Sequence, residues 1–158
     1  MKKQSDSQLA KITATPNLPG IFRIILQSQE VFVEGEEIVD TVFVERDGCQ
    51  IVGTNIEKYV NWQPATLVIV TNYGLTILTE GGFKISESFY GYTIRHLVFS
   101  KISSISLDIC MLDGKLSIAT AMNSNPETLI SFNTSTYFKE FERLIGVIRK
   151  QMFKAAAK

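Results

Sequence analysis

The chain has 158 residues, carries 16 basic and 16 acidic side chains, and is 45% hydrophobic. This length suits one domain with a sizeable core, and the composition is that of an ordinary soluble protein. A formal net charge of zero argues against a nucleic-acid binder that works through bulk charge. We therefore expect a single globular domain without nucleic acid as a partner.

The N-terminal segment is polar. Residues 1–17 contain Ser, Thr, Gln and Pro16 and are expected to form a mobile arm, which leaves residues 18–158 as the single domain. No apolar run follows Lys2 and Lys3, so the segment does not resemble a secretory signal. No apolar stretch approaches the ~20 residues of a membrane helix. These two absences predict a cytoplasmic protein.

An apolar segment, Ile21–Gln27, follows Pro19 and Gly20. Pro19 suits a first helical turn, although Ile and Phe favour a strand equally. We favour a short helix with a buried face of Ile21, Ile24 and Ile25. The segment is too apolar to remain free in water, so it is expected to pack on this domain or on a neighbouring subunit.

Short segments of strand character come next, separated by turn residues. The continuous apolar run 66–71 predicts a strand covered on both faces, with a partner at 75–80. A change of parity within 88–99 predicts a β-bulge or a bend near Arg95 and His96, and residues 53–65 are expected to be irregular. The other predicted strands are 38–45, 102–111, 115–121 and 128–133, with 49–52 as a candidate eighth.

The last element is predicted to be one amphipathic helix. Apolar residues recur at steps of three and four within 137–152, and Asn133, Thr134 or Ser135 can cap the helix. The predicted apolar stripe consists of Phe138, Phe141, Ile145, Ile148 and Met152. Upstream, the alternation of apolar residues at 105, 107, 109 and 111 predicts one face of a strand. Such a helix can close one open end of a curled sheet.

Seven antiparallel strands and one terminal helix form the plan of the pleckstrin-homology superfold. The segment TLVIVTNYGLTIL at 66–78 resembles a hairpin typical of bacterial pleckstrin-homology-like domains, and IRHLVFSKISSI at 94–105 resembles their next strand-to-strand link. The resemblance covers roughly residues 36–152. The chain departs from it at Tyr73, where the family often has a basic residue, and in a longer insertion at 47–65.

The resemblance implies a mainly β fold. The implied fold is a seven-stranded antiparallel barrel of two near-orthogonal sheets, capped by the C-terminal helix. This chain is expected to add a short N-terminal helical segment. It implies a binding scaffold rather than an enzyme. The related lipid-sensing GRAM domain shares the plan and is the nearest alternative.

Few residues could carry catalysis. His96 is the one histidine, and on a strand it is more often a surface or packing residue than a base. Cys49 and Cys110 are far apart and lack metal-type spacing, and Cys110 is expected to face away from the core. Gly81-Gly82 lacks the Lys and Ser/Thr of a phosphate-binding loop. We expect no enzyme, no cofactor and no metal.

Charge is unevenly placed along the chain. Residues 30–47 hold seven acidic side chains against Arg46, whereas residues 135–158 hold six basic and two acidic ones. We favour two solvated surfaces; the alternative is attraction between copies or between the two regions of one chain. The acidic first strand lacks the converging Lys and Arg that bind phosphates, which argues against inositol-phosphate recognition.

The favoured function is a non-enzymatic module that binds protein, with a second copy of itself as a candidate partner. Its candidate interaction surface comprises Ile21, Phe22, Ile25, Phe89, Tyr90 and Tyr92, although the three aromatic residues could instead form a core wall. The alternative is a peripheral membrane or lipid-headgroup module. Its candidate basic surface comprises Lys139, Arg143, Lys150 and Lys154. A small ligand-carrying barrel or enzyme around His96 is least favoured.

Overall fold

The computed structural model describes residues 2–28, 31–53, 56–86, 89–121 and 123–157, and within 2–6, 48–62, 82–90 and 122–124 only the backbone. These residues form nine strands and three α-helices. The helices are α1 (Lys2–Thr13), α2 (Gly20–Ser28) and α3 (Thr134–Ala156). The strands are β1 (Ile38–Val44), β2 (Asp47–Gly53), β3 (Ile56–Gln63), β4 (Thr66–Thr71), β5 (Gly74–Ser86), β6 (Phe89–Val98), β7 (Ile102–Cys110), β8 (Asp113–Thr120) and β9 (Asn123–Asn133).

Every described strand pair is antiparallel. A four-stranded sheet, sheet A, has the order β1-β4-β5-β6, and a three-stranded sheet, sheet C, has the order β7-β8-β9. Strands β2 and β3 form a separate two-stranded sheet, sheet B, which is a hairpin inserted between β1 and β4. No hydrogen-bonded ladder joins sheets A and C in the described part of the chain, so the closed barrel stays a prediction.

Strand β4 is buried along its whole length, which confirms the strand covered on both faces. Val68 and Val70 belong to a core that includes residues of sheet C and α3. Leu67 and Ile69 belong to a second core, which includes residues of α1 and α2. Because side chains alternate between the faces of a strand, sheet A is the middle of three layers.

The N-terminal helices form the outer layer on sheet A. Helix α2 confirms the predicted short helix, but its buried residues are Phe22, Ile25 and Leu26. Ile24 is 64% exposed, so its assignment to the buried face was wrong. Phe22, Ile25 and Leu26 have the i, i+3, i+4 spacing of one helix face, and Ile24 lies outside it. The segment expected to be a mobile arm contains α1, whose Ile12 is buried in the same core.

The predicted C-terminal helix is confirmed, with a shifted buried face. The Oδ1 atom of Asn133 caps α3 by accepting from the Ser135 backbone N–H at 2.9 Å. Phe141 and Ile148 are buried as predicted, together with Leu144, which the predicted stripe omitted. Phe138 is 39% exposed, so its placement in the stripe was wrong. The other two stripe positions, Ile145 and Met152, pack partly against the core.

Three strand predictions were wrong. Residues expected to be irregular contain β3, and β5 continues beyond Glu80 to Ser86. The β5–β6 register is regular from Gly74 to Glu80 and shifts beyond Glu80, between Glu80 and Lys84 and between Lys84 and Ser86, so no bulge occurs at Arg95–His96. The change of parity has another cause, because Ile94 packs in the core under α2 and Leu97 packs in the core on the opposite face.

Candidate functional site

The predicted apolar surface is mostly used inside the chain. Phe22 is 0% and Ile25 is 8% exposed in the core under α2, and Ile21 packs partly against the same core. These results agree with the interpretation in which the segment packs on its own domain. Tyr92 is 42% exposed. The side chains of Phe89 and Tyr90 lie outside the described part of the structure, so the proposed aromatic patch is represented by Tyr92 alone.

The predicted basic residues share one face of α3. Their spacings of four, seven and four residues place them within about 60° of one another around the helix axis, and all four residues are exposed. These residues are Lys139, Arg143, Lys150 and Lys154, which we call the basic stripe. Arg143 differs from the others, because its Nη2 atom lies 3.1 Å from Oδ1 of Asp40 and donates to the Thr41 carbonyl at 3.2 Å.

Helix α3 protects an edge of sheet A. Among the described strands, β1 has a neighbour, β4, on one side only. On the other side, the Thr41 carbonyl accepts from Arg143, and the Glu45 backbone N–H donates to the Tyr137 hydroxyl at 3.0 Å. Side chains of the basic region thus satisfy backbone groups of the acidic region, and this edge is unsuited to pairing with another strand.

The turn between β7 and β8 carries three exposed apolar side chains. Met111 is 90%, Leu112 is 62% and Ile109 is 44% exposed. We call these residues the apolar hairpin end. The predicted inward face was therefore wrong at Ile109 and Met111, although Ile105 and Leu107 pack partly in the core. Cys110 is exposed and free, which confirms that it faces away from the core.

The apolar hairpin end is held in a defined conformation. Cys110 pairs with Asp113 across a two-residue turn, and Met111 has a φ of 53°, where hairpin turns usually have Gly or Asn. Thr134 at the start of α3 fixes this turn. Its backbone N–H donates to the Leu112 carbonyl and its hydroxyl to the Met111 carbonyl, each at 2.8 Å.

A cleft of about 680 Å³ lies beside β9. Its floor and walls come from the start of β2, the end of β3, strands β4 and β5, and the second half of β9. The lining residues are Asp47, Gln63, Pro64, Thr66, Thr79, Asp113, Thr128, Leu129, Ile130, Ser131, Phe132 and Asn133. The Gln63 side-chain amide donates to the Ser131 carbonyl at 2.6 Å, which joins the inserted hairpin to β9.

Two ion pairs hold the elements around this cleft. Both carboxylate oxygens of Glu80, a 4% exposed residue, accept from Arg46, with Nε–Oε2 at 2.8 Å. In the second pair, the two carboxylate oxygens of Glu127 in β9 accept from the guanidinium of Arg95 in β6 at 2.9 and 3.0 Å. The hydrogen bonds and positive charge of Arg95 lower the pKa of Glu127 below 4.5.

The single histidine lies on the surface of sheet A. His96 Nδ1 and the hydroxyl of buried Thr76 are 3.0 Å apart. A depression of about 230 Å³ adjoins them, and its lining includes Glu36 and Tyr73. Across the described residues, no group of three His, Cys, Asp or Glu side chains is placed to hold a metal ion. His96 itself is exposed.

No described helix has both the length and the apolar character needed to cross a membrane. Comparison of the chain with protein-family models, with curated proteins and with solved structures gives no match. The sequence offered no signal for the apolar hairpin end, because Met111 continues the alternation of the buried positions. Gln63 and Asp47 were also missed, because no local sequence pattern predicts that the inserted hairpin lies next to β9.

Proposed function

We propose that the chain is a non-enzymatic interaction module of the pleckstrin-homology-like plan that binds protein. The strand order supports this plan. When the inserted β2–β3 hairpin is set aside, four strands of sheet A and three strands of sheet C follow one another in chain order, and α3 comes last. Contacts from β9 to Arg95 of β6 and to Gln63 at the end of β3 support sheets that cross one another.

The apolar hairpin end is the observation that carries the proposed function. Met111 and Leu112 contribute little to the core of their own chain, since they are 90% and 62% exposed. Burial of such a side chain contributes about 1.5–3 kcal/mol. Because Thr134 holds the turn, little backbone freedom remains to be lost on binding. Two exposed aliphatic side chains on a fixed turn are suited to a pocket on a protein partner.

A second copy of the chain is the first partner to test. Light scattering and sedimentation would compare the wild type with the double variant Met111→Ser/Leu112→Ser, with Ile24→Ser as the control at another exposed apolar site. We expect a concentration-dependent mass that the double variant lowers and the control does not.

Partners other than a second copy require a second measurement. A photo-crosslinking amino acid at position 112 in native cell extract would capture them, with position 24 as the matched control. We expect position 112 to give cross-linked products that position 24 does not give. A clean monomer at high concentration, together with no position-specific cross-link, would contradict the proposed function.

A second candidate function is peripheral membrane binding, which the basic stripe favours. Lys139, Lys150 and Lys154 are exposed on one face of α3, and each cation near an anionic bilayer contributes about 1 kcal/mol. Co-sedimentation with anionic vesicles should fall with added salt and with the variant Lys139→Glu/Lys150→Glu/Lys154→Glu. If the wild type fails to co-sediment at low salt, this candidate is removed.

A further inference from the structure

The second half of β9 presents an unpaired edge to the cleft. Strand β9 has one strand neighbour, β8, in the described sheets. Near its start, Pro126 and the Arg95–Glu127 ion pair hinder the approach of another strand. From Thr128 to Asn133, by contrast, the strand lines the cleft of about 680 Å³. This volume lies within the range of ordinary ligand pockets.

The backbone groups that point into the cleft can be identified. Thr134 donates its backbone N–H to the Leu112 carbonyl at 2.8 Å. Because successive residues of a strand present their N–H and C=O to opposite sides, Ser131 and Asn133 face away from β8. The Ser131 carbonyl accepts from the Gln63 side-chain amide at 2.6 Å, which is the type of bond that an added strand would make.

The charge of the cleft is of one sign. Its lining residues include the carboxylates of Asp47 and Asp113, and the described lining contains no Lys or Arg. Asp113 lies directly opposite Asn133 in the β8–β9 register, and it lines the same cleft as Asn133. A cationic segment in the cleft would meet favourable charge, and an anionic segment would be repelled.

We infer that this cleft binds an extended peptide segment carrying Lys or Arg, which adds to β9 as a further strand of sheet C. The inference rests on the proposed function, because it names the partner chemistry of a protein-binding module. The peptide replaces the Gln63 amide on the Ser131 carbonyl, and further main-chain hydrogen bonds to Ser131 and Asn133 supply the pairing, as in other cases of strand addition. The carboxylate of Asp113 selects the charge. A segment of five or six residues spans about 17–20 Å.

Three labelled heptapeptides test the inference on the full chain by fluorescence anisotropy. The probe is KVTVRVK; its counterparts are acidic EVTVEVE and KPTPRPK, in which prolines remove alternate backbone donors. We expect the probe to bind at least about tenfold more tightly than either counterpart. Asp113→Lys should weaken probe binding at least about fivefold. Asp108→Lys makes the same charge change at an exposed site on β7 and should change probe affinity less than about twofold.

Hydrogen exchange gives an independent readout of the site. Bound probe should protect the backbone amides of Ser131 and Asn133. Absence of probe binding up to millimolar concentration, equal affinity of the three peptides, equal effects of the two Lys variants, or protection confined to another strand would each overturn the inference.

The peptide and hairpin-end measurements can fail separately. Probe binding that survives Met111→Ser/Leu112→Ser, with no self-association or cross-link, would contradict the role of the apolar hairpin end alone. Self-association without probe binding would contradict the peptide cleft alone.

Discussion

Arg143 in α3 reaches Asp40 in β1, with 3.1 Å between Nη2 and Oδ1. The two residues belong to the basic and acidic regions that the sequence keeps about a hundred positions apart. Attraction between these regions therefore occurs within one chain at this contact. Arg143 was predicted as part of a surface for anionic lipids, and its pairing with Asp40 leaves that role to the three lysines of the basic stripe.

Loss of the Arg143 guanidinium should destabilise the fold. The Asp40 side chain is only 15% exposed, and its Oδ2 atom has no hydrogen-bond partner among the described residues. Arg143→Ala would remove the positive charge beside this carboxylate, and we expect a cost of about 1–2 kcal/mol in the free energy of unfolding. Lys139→Ala on the same helix face should change it by less than about 0.5 kcal/mol. Equal urea midpoints for the two variants would contradict this role.

Two glycines should respond oppositely to substitution by Ala. A Cβ at Gly114 would lie 2.4 Å from the ring of Phe132, which stacks on Phe141 with centroids 3.8 Å apart. Because the ring is held on both sides, we expect Gly114→Ala to cost about 1–3 kcal/mol. A Cβ added at Gly146 in α3 would lie in open space, so Gly146→Ala should stabilise the protein by about 0.5–1 kcal/mol. Thermal unfolding of both variants measures the contrast; a stabilised Gly114→Ala would show that the stack can move.

The Arg95–Glu127 pair predicts a pH dependence. Because the pKa of Glu127 is lowered below 4.5 in the folded state, the pair contributes stability above pH 4.5. The contribution is lost as the pH falls through the lowered value. Arg95→Gln should return the Glu127 pKa, followed by carboxyl NMR, to its ordinary range.

The energetic effect of the same pair should be small. The side chains are 35% and 56% exposed, so water screens the pair. We expect a stability difference at pH 7 below about 1 kcal/mol, and it should vanish in acid. The exposed residue Arg149, changed to Gln, is the control, and an unchanged Glu127 pKa in the Arg95 variant would contradict the assignment.

Alanine substitutions can test the two positions of α3 at which the predicted and the observed buried faces differ. Leu144 is 0% exposed and Phe138 is 39% exposed. We expect Leu144→Ala to cost about 2–5 kcal/mol, because it leaves a cavity in the core, and Phe138→Ala to cost less than about 1 kcal/mol. Urea unfolding of the two variants decides between the observed buried face and the predicted one, since the predicted stripe requires the opposite order.

Secondary structure of strongly patterned segments was predictable. The run at 66–71 and the periodicity of 137–152 report burial directly, because each side chain contributes to one face of its own element. The bulge predicted near Arg95 was wrong because sheet A is covered on both faces. Ile94 and Leu97 are apolar on opposite sides of one strand and pack in different cores, so a change of parity resembles a bulge.

The candidate sites were less predictable, because they depend on distances between elements. Gln63 reaches Ser131 across 68 positions of the chain, and no pattern around either residue specifies that contact. Met111 continues an alternating apolar pattern, yet it lies beyond the end of the covered sheet and is 90% exposed. Whether such a side chain is buried depends on how far the covering layer extends, and the periodicity of the sequence does not indicate that extent.

The bonds from Thr134 to Met111 and Leu112 make the turn and the terminal helix a single mechanical unit. Helix α3 has 23 residues and so extends about 34 Å from this junction. A displacement of the turn would therefore move α3 with it. The movement would extend to Phe153, which is 71% exposed near the other end of the helix.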